Sequence, residues 1–98
     1  MNFQETCQKA VSLWGSQAQL DMAIEEASEL IKAICKLKRS GASLEAVSAV
    51  AEEIADVEIM IEQLKIMFYC HDDVDDWEKY KLERLSERIE EAERAKTN

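Results

Sequence analysis

Leu20–Leu37 reads LDMAIEEASELIKAICKL. Leu20, Ala23, Ile24, Ala27, Leu30, Ile31, Ile34 and Leu37 recur at helical spacing and form one apolar stripe. The segment is therefore predicted to be a long amphipathic helix. At about 100° per residue, Glu26 falls on the shoulder of that stripe and Glu29 one step further round. A neighbour packed on the stripe would strip water from both. Carboxylates so placed need a partner, and a metal ion is the strongest available.

Glu52–Glu53–Ile54–Ala55–Asp56 repeats the arrangement on a second helix, whose stripe is Val47, Val50, Ala51, Ile54, Val57, Ile61, Leu64 and Phe68. A displacement of 27 residues puts Glu26 on Glu53 and Glu29 on Asp56. Packed antiparallel, stripe to stripe, the two helices are expected to gather four carboxylates at one edge of their seam. Such a cluster suits hard cations, which take oxygen ligands. Two solvated acidic faces are the alternative; the matched pairing favours the site.

The rest of the chain supports an all-α fold. There is no proline among the 98 residues and only two glycines, and Ala, Leu, Ile, Glu and Lys dominate. One domain, residues 1–98, is expected. So short a chain buries a modest core, so oligomerisation is expected to complete it. No apolar run reaches the roughly 18 residues of a membrane span, and the N-terminus has no signal-peptide pattern. The odd set Cys7, Cys35 and Cys70 lies within helical patterns, as expected of reduced core or near-core thiols in a cytoplasmic protein. His71 is expected at the surface. The net charge of −9 argues against a nucleic-acid partner. It leaves room for a phosphate-bearing small molecule, because metal ions neutralise acids and local basic residues hold phosphates.

In chain order, residues 3–14 form a short helix. Gly15 stops it, and Ser16 with Gln19 matches a capping box. The long helix runs to about Lys38, a loop spans Arg39–Ser43, and Ser43 caps a third helix from Leu44 to about Tyr69. Val57–Tyr69, VEIMIEQLKIMFY, is apolar nearly all round, with Ile59, Met60, Ile66 and Met67 outside the stripe. A second copy is the simplest cover. His71–Asp76 reads as an acidic turn, with Asp75 and Glu78 capping a last helix from Asp76 to about Ala95. Lys81, Arg84 and Arg88 form a basic stripe there, beside Leu82, Leu85 and Ile89. The stripe either grips phosphate oxygens or pairs within the helix with Glu78, Glu87 and Glu91.

EEASE followed by EEIAD resembles the pattern E-E-x-x-E … E-x-x-D of the all-α nucleoside triphosphate pyrophosphohydrolases, the MazG-like superfamily. That superfamily includes dimeric dUTPases, dCTP pyrophosphatases and phosphoribosyl-ATP pyrophosphohydrolases. Trp14–Gly15, Gln19 and the segment Lys81–Arg88 extend the likeness over residues 14 to 89. The apolar segment Val57–Tyr69 predicts a homodimer at least, or a dimer of dimers, and the resemblance implies a MazG-like antiparallel helical bundle of about four helices. It implies Mg²⁺-dependent cleavage of the α–β bond of a nucleoside triphosphate, with Mn²⁺ able to substitute. By the same resemblance Glu26, Glu29, Glu53 and Asp56 are metal ligands, and Glu25 orients or deprotonates the attacking water. Lys81 and Arg88, with Arg84 beside them, are phosphate-binding residues. Trp14 either stacks on a base or belongs to the core, and Gln19 either touches substrate or serves its cap. Leu85 stands about where many relatives have Asn. The narrower alternatives are a specialised relative acting on dUTP, dCTP or phosphoribosyl-ATP, and a helical interaction dimer without catalysis.

Overall fold

Asn2 starts the first helix. Its side-chain oxygen accepts from the Glu5 backbone N–H at 2.8 Å, and its amide donates to the Glu5 carboxylate at 3.0 Å. This is a reciprocal cap built on asparagine. The computed structural model describes residues 1–97 and contains four helices. They are α1 (Phe3–Trp14), α2 (Ser16–Ser40), α3 (Leu44–Phe68) and α4 (His71–Thr97). Among the described residues there is no strand, so the chain is all-α.

Gly15 alone separates α1 from α2. Its φ of 88° is a conformation that strains other residues. Its N–H closes α1 on the Val11 carbonyl at 2.9 Å, and its carbonyl accepts from the Gln19 N–H at 3.2 Å. The expected capping box is therefore corrected. Ser16 is already the first helical residue, and the Gln19 side chain is turned into the interior. Gly41 ends α2 in the same way, with φ 85° and its N–H on the Leu37 carbonyl at 2.9 Å. Ser43 caps α3 as expected, accepting from the Ala46 N–H at 3.1 Å.

The last helix begins five residues before the expected Asp76, at His71. Tyr69 takes the left-handed conformation, φ 51° and ψ 44°, and the Cys70 N–H returns to the Lys65 carbonyl at 3.1 Å. The reversal is complete within two residues, so the acids read as a turn are helical. Asp72 and Asp73 lie in the first turn of α4, where the positive end of the helix dipole favours them. Asp75 and Glu78 are interior residues and form no cap. His71 is half-buried, not a free surface residue: its Nε2 lies 2.8 Å from Glu62 Oε2, tying the start of α4 to α3.

Among the described residues α1, α2 and α3 pack on one another, whereas α4 meets only α3. The buried ones among the described residues are Cys7, Gln19, Met60 and Gln63. Burial pushes the Cys7 thiol above its usual range, and the Glu62 charge adds to this. All three cysteines are free thiols, but Cys35 is exposed, which corrects its expected near-core position. Beyond the half-buried His71 and Val74, every residue of α4 to Thr97 is exposed. Among the described residues no helix is long and apolar enough to cross a membrane.

The chain does not close on itself. Its surface is 7860 Å², against about 5,700 Å² for a compact chain of this mass. Its radius of gyration is 17.5 Å, against about 13 Å. The excess is apolar in part. Ile24 and Ile31 of α2 are 67% and 62% exposed. Val47, Ile54, Ile61 and Phe68 form an exposed line along α3, and Leu82, Leu85 and Ile89 one along α4.

Candidate metal centre

A hydrogen bond between two buried side chains marks how α2 lies on α3. Gln19 Nε2 donates to Gln63 Oε1 at 2.7 Å, and the two residues are only 5% and 4% exposed. Gln63 Nε2 in turn faces Met60 Sδ at 3.6 Å. From this pair the antiparallel register runs forward along α2 and backward along α3. Glu26 comes beside Asp56, Glu29 near Glu53, and Ala33 and Ala49 line one groove. The acids pair across the seam in the opposite sense to their order in the two motifs.

Glu26, Glu53 and Asp56 each direct a carboxylate oxygen to one place, where the three atoms lie within 4.8 Å of one another. All three are half-buried. They stand on the face of each helix that packs on the other, not at its edge. The expected stripe-to-stripe packing is corrected accordingly. Both helices are rotated so that half of each apolar stripe, including Ile24, Ile31, Ile54 and Ile61, faces outward. Glu29 lies one turn along α2, outside the triad. It is 3.8 Å from Lys32, yet close enough for its charge to act on Glu53.

Bringing these acids together has an electrostatic cost. Loss of water in the seam raises the Glu26 carboxyl above its ordinary value, and its hydrogen bond and repulsion with Asp56 raise it further. Glu53 and Glu25 add smaller repulsions. Desolvation likewise raises Glu53, followed by the charges of Asp56, Glu29 and Glu52. Among the described residues Glu53 Oε2 is also buried with no hydrogen-bond partner, which costs free energy until a donor or cation is supplied. Three converging acidic oxygens, beside a Glu53 carboxylate that keeps one buried oxygen unpartnered, fit a hard divalent cation such as Mg²⁺ or Mn²⁺.

The other sequence-derived candidates lie apart from this centre. Glu25 is exposed beside Glu26. Gln19 is two turns away, about 10 Å along α2, and is held by Gln63. Trp14 is exposed at the end of α1 and outside the core. Lys81, Arg84 and Arg88 line a shallow depression on α4 with Leu85. Because α4 meets only α3 and is exposed from Asp75 onward, one chain does not bring this stripe to α2. The stripe forms no ion pair with Glu78, Glu87 or Glu91 among the described residues; Lys81 sits instead 5.9 Å from the centre of the Trp77 ring. No known protein family, curated protein or solved structure matches the chain.

Proposed function

We propose that the protein is a divalent-metal-dependent, cytoplasmic nucleoside triphosphate pyrophosphohydrolase of the MazG-like type. It would convert a nucleoside triphosphate to the monophosphate and pyrophosphate. The observation that supports the metal dependence is that Glu26, Glu53 and Asp56 converge within 4.8 Å while Glu53 Oε2 is buried without a partner among the described residues. The substrate and the bond cleaved rest on the resemblance of the two acid motifs. These three residues would hold the ion, with Glu29 as the fourth acid that the resemblance assigns. A divalent ion there supplies Lewis acidity toward a phosphoryl group. Glu25, exposed next to the triad, orients a water and takes its proton as the oxygen bonds to the α-phosphorus. The α–β anhydride bond breaks, and pyrophosphate leaves with the bonding electron pair. Trp14 is free to stack on a base.

The exposed apolar lines on α2, α3 and α4 support a homodimer or a dimer of dimers. Phosphate contacts from Lys81, Arg84 and Arg88 depend on assembly carrying α4 toward the acids. Light scattering at micromolar concentration should give at least twice the 11.2 kDa chain mass, and a monomer would refute the assembly. The same exposed faces favour the second reading, an interaction dimer without catalysis. Turnover of a nucleotide panel with Mg²⁺ in ¹⁸O-labelled water separates the two. Label in the monophosphate supports attack at the α-phosphorus, label only in pyrophosphate refutes it, and no pyrophosphate release from any nucleotide favours the interaction dimer. The panel, including dUTP, dCTP and phosphoribosyl-ATP, identifies the base and sugar.

A further inference from the structure

A groove of about 470 Å³ opens on the α2–α3 seam next to the acid triad. Glu29 and Glu53 mark one end, and Lys32, Lys36 and Arg39 follow along α2. The room comes from small side chains, Ala33 on α2 and Ala49 on α3, where the register would otherwise bring larger groups together. The three cations are spaced i, i+4 and i+7. They therefore share one face of α2 over about 10 Å. Among the described residues their one ion pair is the loose 3.8 Å contact of Lys32 with Glu29.

We propose that this groove binds the β- and γ-phosphates of the substrate, the part that leaves as pyrophosphate, with Lys32, Lys36 and Arg39 as its grip. The proposal rests on the triphosphate reading above and adds a direction to it. A triphosphate anchored at the triad can extend along the seam two ways. Toward the start of α2 the seam is filled by the buried Gln19–Gln63 pair. Residues 16–25 of α2 contain no Lys or Arg but include Asp21 and Glu25. Toward Ala33 and Ala49 the seam is open, and Lys32, Lys36 and Arg39 stand along its α2 wall among Ile31, Ala33 and Cys35. The negative end of the α2 dipole lies in this direction too, and Lys36, Lys38 and Arg39 more than offset its partial charge. Charge-assisted contacts to phosphate oxygens are the strong class of hydrogen bond, and Arg39 adds a planar fork suited to them.

The test is calorimetric titration of the full chain, first with Mn²⁺ alone, then with inorganic triphosphate in the presence of Mn²⁺. The wild type should bind both. Lys36→Gln combined with Arg39→Gln should weaken triphosphate binding by on the order of tenfold or more. It should leave the Mn²⁺ affinity within about twofold, since a residue outside the ion's shell shifts it by only a few tenths of a kcal/mol. Cys35 also lines the groove and is exposed, so it reports occupancy independently. Triphosphate with Mn²⁺ should slow its alkylation relative to Mn²⁺ alone. If Mn²⁺ and triphosphate bind but the double variant matches the wild type, the groove proposal is overturned and the metal centre stands. If Mn²⁺ does not bind, both readings fall together.

Discussion

The α2–α3 seam holds two polar clusters about two helical turns apart, and they behave in opposite ways. At one end Gln19 and Gln63 are nearly fully buried and satisfy each other at 2.7 Å. At the other, Glu26, Glu53 and Asp56 are half-buried, repel one another and leave Glu53 Oε2 without a partner. A neutral amide pair completes itself inside the chain. A carboxylate triad cannot, because it holds only acceptors when ionised. A satisfied buried polar pair rigidifies its surroundings, whereas an unsatisfied buried group costs free energy until a donor or cation reaches it. The amide end is closed at the register on which the acid end converges.

The largest expected effect is at the acid end. Glu53→Ala or Asp56→Ala should lower turnover by at least about 10²–10³-fold, the range for losing one preorganised electrostatic element, with helicity by circular dichroism unchanged. The metal-free variants should melt no lower than the wild type, because a repelled, desolvated charge has been removed. A variant that keeps wild-type turnover breaks the contrast by making the triad a mere acidic surface.

The amide end should answer with stability in place of chemistry. Gln63→Ala leaves Gln19 buried and unpaired, which costs about 1–3 kcal/mol. For a domain of this size each kcal/mol lowers Tm by about 4–8 °C. Replacing both by Leu removes the need for a partner and should restore most of that loss. If the pair is what sets the register, the double variant should still bind Mn²⁺ more weakly than the wild type in the same titration. Mn²⁺ affinity equal to wild type would show that apolar packing alone aligns the acids.

The helical class, Gly15, Gly41 and the Ser43 cap were legible because each is a local matter of spacing or backbone conformation. The two acid motifs were legible for the same reason. The face they occupy was not. Hydropathy places Ile24, Ile31, Ile54 and Ile61 toward the partner helix, whereas the fold turns all four outward. A single-chain pattern cannot separate a face meant for the neighbouring helix from one meant for a second copy. Nothing local marks Gln63, because its role depends on a residue 44 positions away. Translating one motif onto the other also aligns Glu26 with Glu53 in parallel sense, and antiparallel packing exchanges those partners. At α4, Asp72 and Asp73 carry a composition shared by turns and helix starts, and the left-handed Tyr69 decides between them.

The smallest expected effect separates the two ends by their titration. Glu26 and Glu53 have folded-state carboxyls raised above the ordinary value of about 4.3, chiefly by desolvation and then by their acidic neighbours. A raised carboxyl means that the folded state holds its protons to higher pH than the unfolded chain does. The stabilisation is therefore fully present below the ordinary value, and it is lost as pH rises through the window up to the raised one. Metal-free wild type should lose stability across that window relative to Glu26→Gln/Glu53→Gln, whose amides do not titrate. The Tm difference between the two should be near zero at about pH 4 and grow in favour of the variant toward neutrality, by a few degrees at most for half-exposed groups. Excess Mn²⁺ at pH 7 should reverse the sign, because it binds the ionised wild type and not the amide variant. Gln19→Leu/Gln63→Leu measured over the same range should differ from the wild type by a constant amount. A wild-type-to-amide difference that stays flat with pH would mean that water reaches the triad freely and that its carboxylates titrate as ordinary surface acids.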